Sequence, residues 1–73
     1  MLIIWNNSII NTANVKKIYV YDNGLEFYYV GERDEYYSRC RFKSEAEARE
    51  AYERIISASK EGDAICDLRR TAE

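Results

Sequence analysis

Val15-Lys16-Lys17-Ile18-Tyr19-Val20-Tyr21-Asp22-Asn23-Gly24-Leu25-Glu26-Phe27-Tyr28-Tyr29-Val30 is two runs of β-branched and aromatic residues joined by Asp-Asn-Gly. Branched and aromatic side chains pack well on a pleated surface, so both runs favour strands. Asn23-Gly24 suits a two-residue bend whose central residues take positive φ, which predicts a hairpin with Asp22 opposite Leu25. Tyr21 then faces Glu26, Val20 faces Phe27, Tyr19 faces Tyr28 and Ile18 faces Tyr29.

Working outward, Gly31-Glu32-Arg33-Asp34 reads as a four-residue loop into a third strand. That loop sets Val30 against Glu35, Tyr29 against Tyr36, Tyr28 against Tyr37, Phe27 against Ser38, Glu26 against Arg39 and Leu25 against Cys40. Alternation along a strand then sorts two faces. Ile18, Val20, Leu25, Phe27, Tyr29, Tyr36, Cys40 and Phe42 fall on one, nearly all apolar. Lys17, Tyr19, Tyr21, Glu26, Tyr28, Val30, Tyr37, Arg39 and Arg41 fall on the other.

Upstream, Leu2-Ile3-Ile4-Trp5 stops at Asn6-Asn7, residues that tolerate the left-handed conformation, and Ile9-Ile10 resumes. A two-residue loop pairs Ile4 with Ile9 and Ile3 with Ile10, a ribbon apolar on both faces, one of which needs cover. Downstream, Ser44 with Glu47 three residues on reads as a capping box. A helix of about four turns follows, with Ala48, Ala51, Tyr52, Ile55, Ala58 and Ser59 on one side and Gly62 as its end. Glu45 to Arg49 and Glu50 to Arg54 are four-apart pairs on its solvated side. Residues 63–73 are weakly patterned, and their structure is left open.

The expected architecture is a single α+β domain over residues 1–73, with its core in about 2–62. It is an antiparallel meander of about five strands with one C-terminal helix packed on one face. Hydrophobic gain and chain entropy nearly cancel at this size: about 4,500 Å² of buried apolar surface at ~25 cal/mol/Å² gives ~110 kcal/mol, and ordering the chain at ~1.5 kcal/mol per residue costs ~110. A second copy of the chain is the expected support, because Cys40 and Cys66 form no ligand spacing.

The 73 residues contain 11 Lys plus Arg against 13 Asp plus Glu, a net charge of −2, which removes the basic balance of a dedicated duplex-DNA binder. Histidine is absent, and with it the commonest general base and metal ligand. No Gly-rich phosphate cradle is present, and Cys40 reads as a small apolar residue of the inner face. The expectation is therefore a protein that is not an enzyme and uses no cofactor or metal. Leu2 to Trp5 is too short for the apolar segment of a secretory signal, and no run is long enough to span a membrane, so a cytoplasmic location is expected.

Four of the seven tyrosines, Tyr19, Tyr21, Tyr28 and Tyr37, fall on the outer face, which makes that face the candidate site. Tyrosine offers rigid, amphipathic contact area and arginine offers planar hydrogen bonding, so Tyr19, Tyr21, Tyr28, Tyr37, Arg39 and Arg41 form a candidate protein-interaction surface. An exposed tyrosine ladder also stabilises a sheet without any partner, and this reading stands beside the first. Ile3, Trp5, Ile9 and Ile10 are candidate subunit contacts. Single-stranded nucleic acid is an alternative ligand for aromatic rings flanked by cations. Six basic and five acidic residues between Lys16 and Lys43 disfavour it.

The strand hairpins, the Asn23-Gly24 turn and the helix opening Ser44-Glu45-Ala46-Glu47-Ala48 resemble many short bacterial and phage proteins in which a strand meander is closed by one C-terminal helix. Their architecture is similar to a half-open pleckstrin-homology-like barrel. The resemblance covers about residues 2–60, brings no functional residues with it, and implies binding to other proteins, including phage-borne inhibition of a host protein.

Overall fold

The computed structural model describes residues 1–31 and 37–69. Its strands are β1 (Leu2–Trp5), β2 (Ser8–Asn11), β3 (Val15–Tyr21), β4 (Gly24–Tyr29), β5 (Tyr37–Arg41) and β6 (Ile65–Asp67), with one α-helix, α1 (Glu45–Glu61), before the last. The fold is α+β. Among the described residues the strands form two three-stranded sheets, β2-β1-β6 and β3-β4-β5, in place of the expected five-strand meander.

The break falls at the polar connection. Thr12–Asn14 winds into a 3-10 turn in which the Asn11 side chain accepts from the Ala13 N–H, and the Val15 N–H closes back on the Thr12 carbonyl. Thr12 instead serves the first hairpin, its N–H and hydroxyl both donating to the Met1 carbonyl at 3.0 and 2.9 Å. β2 and β3 thus end up in different sheets. The place beside β1 goes to β6, which runs parallel to it with Ile3 opposite Cys66. The Leu2 N–H reaches the Ala64 carbonyl and the Leu68 N–H the Ile4 carbonyl. The core consequently extends past residue 62, since Cys66 and Leu68 are both buried.

The first hairpin has the expected register, Ile4 opposite Ile9 and Ile3 opposite Ile10, turning on Asn6 at φ 51°. β4 and β5 also pair as expected from Leu25↔Cys40 to Tyr28↔Tyr37. The expected loop over 31–34, apart from Gly31, and the pairing partners Glu35 and Tyr36 lie outside the described residues. The β3–β4 register differs by two residues. Asp22 takes the positive φ of 53°, Tyr21 faces Gly24, and Val20 faces Leu25. Gly24 belongs to the strand, and Asn23 is held by Phe42, the residue after β5, its carbonyl accepting from the Phe42 N–H at 2.7 Å and its amide donating to the Phe42 carbonyl at 2.8 Å.

A slip of two preserves side-chain parity, so the expected faces survive it. Leu25, Phe27 and Cys40 are buried, with Ile18, Val20, Tyr29 and Phe42 packed against them. A bulge between Val15 and Lys17 adds one residue, which lets Val15 join the core while both lysines stay exposed.

α1 lies against β3, β4 and β6. Ser44 Oγ accepts from the Glu47 N–H at 3.2 Å, and Gly62 ends the helix in the left-handed conformation at φ 74°. Ala48, Ala51, Ile55 and Ala58 are its buried residues, and Tyr52 packs beside them. Ser59, expected on the same stripe, is exposed.

Candidate functional site

The outer face of β3-β4-β5 is ordered by the observed register. Cross-strand rows run Tyr21↔Gly24↔Arg41, Tyr19↔Glu26↔Arg39 and Lys17↔Tyr28↔Tyr37. Tyr19 and Tyr28 are diagonal neighbours instead of a direct pair, which suits an edge-to-face contact: their centroids lie 5.6 Å apart at 84°. Lys17 Nζ sits over both rings, 5.0 Å from the Tyr19 centroid and 5.1 Å from that of Tyr28. The Tyr28 hydroxyl donates to Glu26 Oε1 at 3.0 Å.

Arg39 organises the other half. Its Nη1 donates to Glu26 Oε2 at 2.7 Å, its guanidinium lies over the Tyr21 ring at 5.6 Å, and it covers Gly24. Tyr19 and Tyr21 nevertheless remain 50% and 59% exposed. Arg41 is exposed at the end of β5, and Tyr37 occupies its expected strand position. The structure therefore gathers Tyr19, Tyr21, Tyr28 and Arg39 into one interlocked layer with Lys17 and Glu26.

The subunit contacts expected in the first hairpin need correction. Ile3 and Ile10 point inward and are buried in the monomer, so they are not available to a second copy. Trp5 packs on Phe42 with centroids 4.5 Å apart. Of the four, Ile9 alone is a large exposed aliphatic, at 67%. It is not isolated. Ile9 pairs with Ile4, and Leu2 pairs with Ile65, which is 55% exposed, so an aliphatic layer crosses all three strands of β2-β1-β6 on the face opposite Ile3 and Ile10.

Both cysteines are free and buried. Burial pushes the Cys40 thiol up to about 11 and raises that of Cys66, so neither is a thiolate at neutral pH. Among the described residues, no group of three His, Cys, Asp or Glu is placed to hold a metal. No helix among them is long and apolar enough to cross a membrane.

Sequence reasoning missed three contacts. Gly24 lies in the strand under Arg39, where a Cβ would stand 2.8 Å from Nε, Asn23 clamps Phe42, and Arg54 leaves its four-apart partner to donate to the Asp67 carbonyl at 2.7 Å. The adjacent Asn23 and Gly24 were a signal for the first two, but spacing alone assigns both to a turn. No protein-family model, curated protein or solved structure matches the chain.

Proposed function

We propose that this protein is a non-enzymatic interaction module that pairs with a second copy of itself and engages another protein through its Tyr/Arg face. The observation that carries the reading is the uncovered aliphatic layer of Leu2, Ile4, Ile9 and Ile65 on a hydrogen-bonded sheet. A small domain gains from covering such a layer. The row of Ile9 and Ile4 ends at Asp67 on the edge strand, and that carboxylate is paired with Arg69 at 2.7 Å, so the acid on this face meets a second copy as an ion pair and not as a bare charge. A two-fold pairing would match this patch with itself. Sedimentation of the wild type against Ile9→Lys tests the pairing, with a dimer expected for the first and a folded monomer for the second.

The Tyr/Arg face supports a separate partner. Its rings are ordered before any partner arrives, so little side-chain entropy is lost on contact. One face of Tyr19, Tyr21 and Tyr28 is already taken by Lys17 or Arg39, which favours contact through ring edges and hydroxyls over base stacking. A protein partner therefore fits this layer better than a single nucleic-acid strand. Tyr19→Ala with Tyr21→Ala tests it, with loss of a captured partner expected while the fold is retained.

A further inference from the structure

A cleft of about 860 Å³ opens where the first hairpin, the end of β5 and the start of α1 meet. Its apolar wall is the Trp5 and Phe42 pair, tilted at 47°. Arg41, Lys43 and Arg69 bring three cations to the same opening, against Glu47 as its one acid among the described residues. Arg69 is held by Asp67 through Nε at 2.9 Å and Nη2 at 2.7 Å, while Arg41 and Lys43 are exposed and make no side-chain hydrogen bond or ion pair among the described residues. Asn6 and Asn7 supply amides at the rim.

The cations are concentrated in one short run. On α1 the exposed Glu45, Glu50, Glu53 and Glu61 are interleaved with exposed Arg49, Arg54 and Lys60, whereas Arg39, Arg41 and Lys43 alternate along β5 and the residues after it with no acid among them, leading from the Tyr/Arg face into the cleft. A chain that is acidic overall thus presents a basic entrance over an apolar wall. We infer that this cleft binds an acidic peptide segment of a protein partner, an apolar side chain of the segment resting on Trp5 and Phe42 and its carboxylates meeting Arg41 and Lys43. The inference rests on the interaction-module reading and gives that partner a chemistry. The two rings of that wall pack on each other at 4.5 Å and leave no slot between them for a base, which favours a peptide over a nucleotide.

Trp5 is the single tryptophan, so its emission reports on the cleft directly. The full chain is titrated with acetyl-Glu-Asp-Phe-Asp-Glu-amide, with the neutral acetyl-Gln-Asn-Phe-Asn-Gln-amide, and with a five-thymidine oligonucleotide, following Trp5 emission and amide shifts by NMR. The acidic peptide is expected to change Trp5 emission saturably and to move the Asn6, Asn7 and Lys43 amides. The neutral peptide should bind about tenfold or more weakly, and Arg41→Gln with Lys43→Gln should lower affinity by a similar factor, as should raised salt. Both positions are exposed, and circular dichroism checks that the variant is folded. No response to the acidic peptide, equal binding of the neutral one, an unaffected variant, or tighter binding of the oligonucleotide each overturns the inference. Sedimentation separates this failure from failure of the parent reading: a dimer that ignores the peptide loses only the cleft assignment.

Discussion

Arg39 crosses the β4 strand over Gly24 so closely that a Cβ at Gly24 would stand 2.8 Å from its Nε. The contact explains why glycine occupies a strand position beside the turn, and it brings the guanidinium onto Glu26 and Tyr21 together. It also leaves Arg39 Nε buried without a hydrogen-bond partner. Gly24→Ala should push Arg39 off Glu26 and cost about 1 kcal/mol. In an Arg39→Ala background the same change should be close to neutral, and a double-mutant cycle by urea unfolding measures the difference. Additive costs would show that Gly24 serves the backbone instead.

Phe27 and Tyr19 lie on opposite faces of the same hairpin and should respond very differently. Phe27 is fully buried, so Phe27→Ala should cost about 3–5 kcal/mol, enough to unfold a chain of marginal stability. Tyr19→Ala should cost about 0.5–1.5 kcal/mol, the worth of its contact with Tyr28. Thermal unfolding of the two variants distinguishes these outcomes.

That division of faces was legible in the sequence, and the reason is the period of two. The bend falls on Asp22-Asn23, one residue before Asn23-Gly24, and this shifts the register by an even number, so Phe27 stays inside and Tyr19 outside. The first hairpin and the capped helix were legible for a simpler reason: Asn6, Ser44 and Gly62 act through local geometry alone. β6 was not, because Ile65–Asp67 is short and pairs with β1 from the far end of the chain. The separation of the sheets was missed because Thr12 spends its donors on Met1, a contact no local pattern announces. For the candidate site, the residue types were readable, but the Arg39–Gly24 approach depends on which strands meet, as does the Trp5–Phe42 wall.

Asp67 links β6 to pH. The Arg69 guanidinium, which bonds it through the side chain, and the Arg69 N–H together lower its pKa to about 2. A carboxylate whose folded pKa is depressed contributes stability above its unfolded value, and loses it as pH falls through the folded one. The loss should therefore run from about pH 4 down to about 2. Carbon-13 titration should find Asp67 at the low end of that window, and Arg69→Ala should return it towards the ordinary carboxylate range.

Thiol reactivity should report the two sheets separately. Burial keeps Cys40 protonated and covered in β5, so modification by a disulfide reagent at pH 8 should wait for global unfolding. Cys66 lies in a three-residue edge strand and should react sooner, through local release of β6. Mass spectrometry of the singly modified protein identifies which thiol reacts first; labelling of Cys40 ahead of Cys66 would contradict this order.

Association through the outer sheet faces is tested most directly by sedimentation velocity of the wild type across the micromolar range, alongside the double variant Ile9→Lys with Ile65→Lys. The wild type should sediment as a dimer and the variant as a folded monomer. A wild type that stays monomeric throughout, or a variant that dimerises equally well, would contradict it.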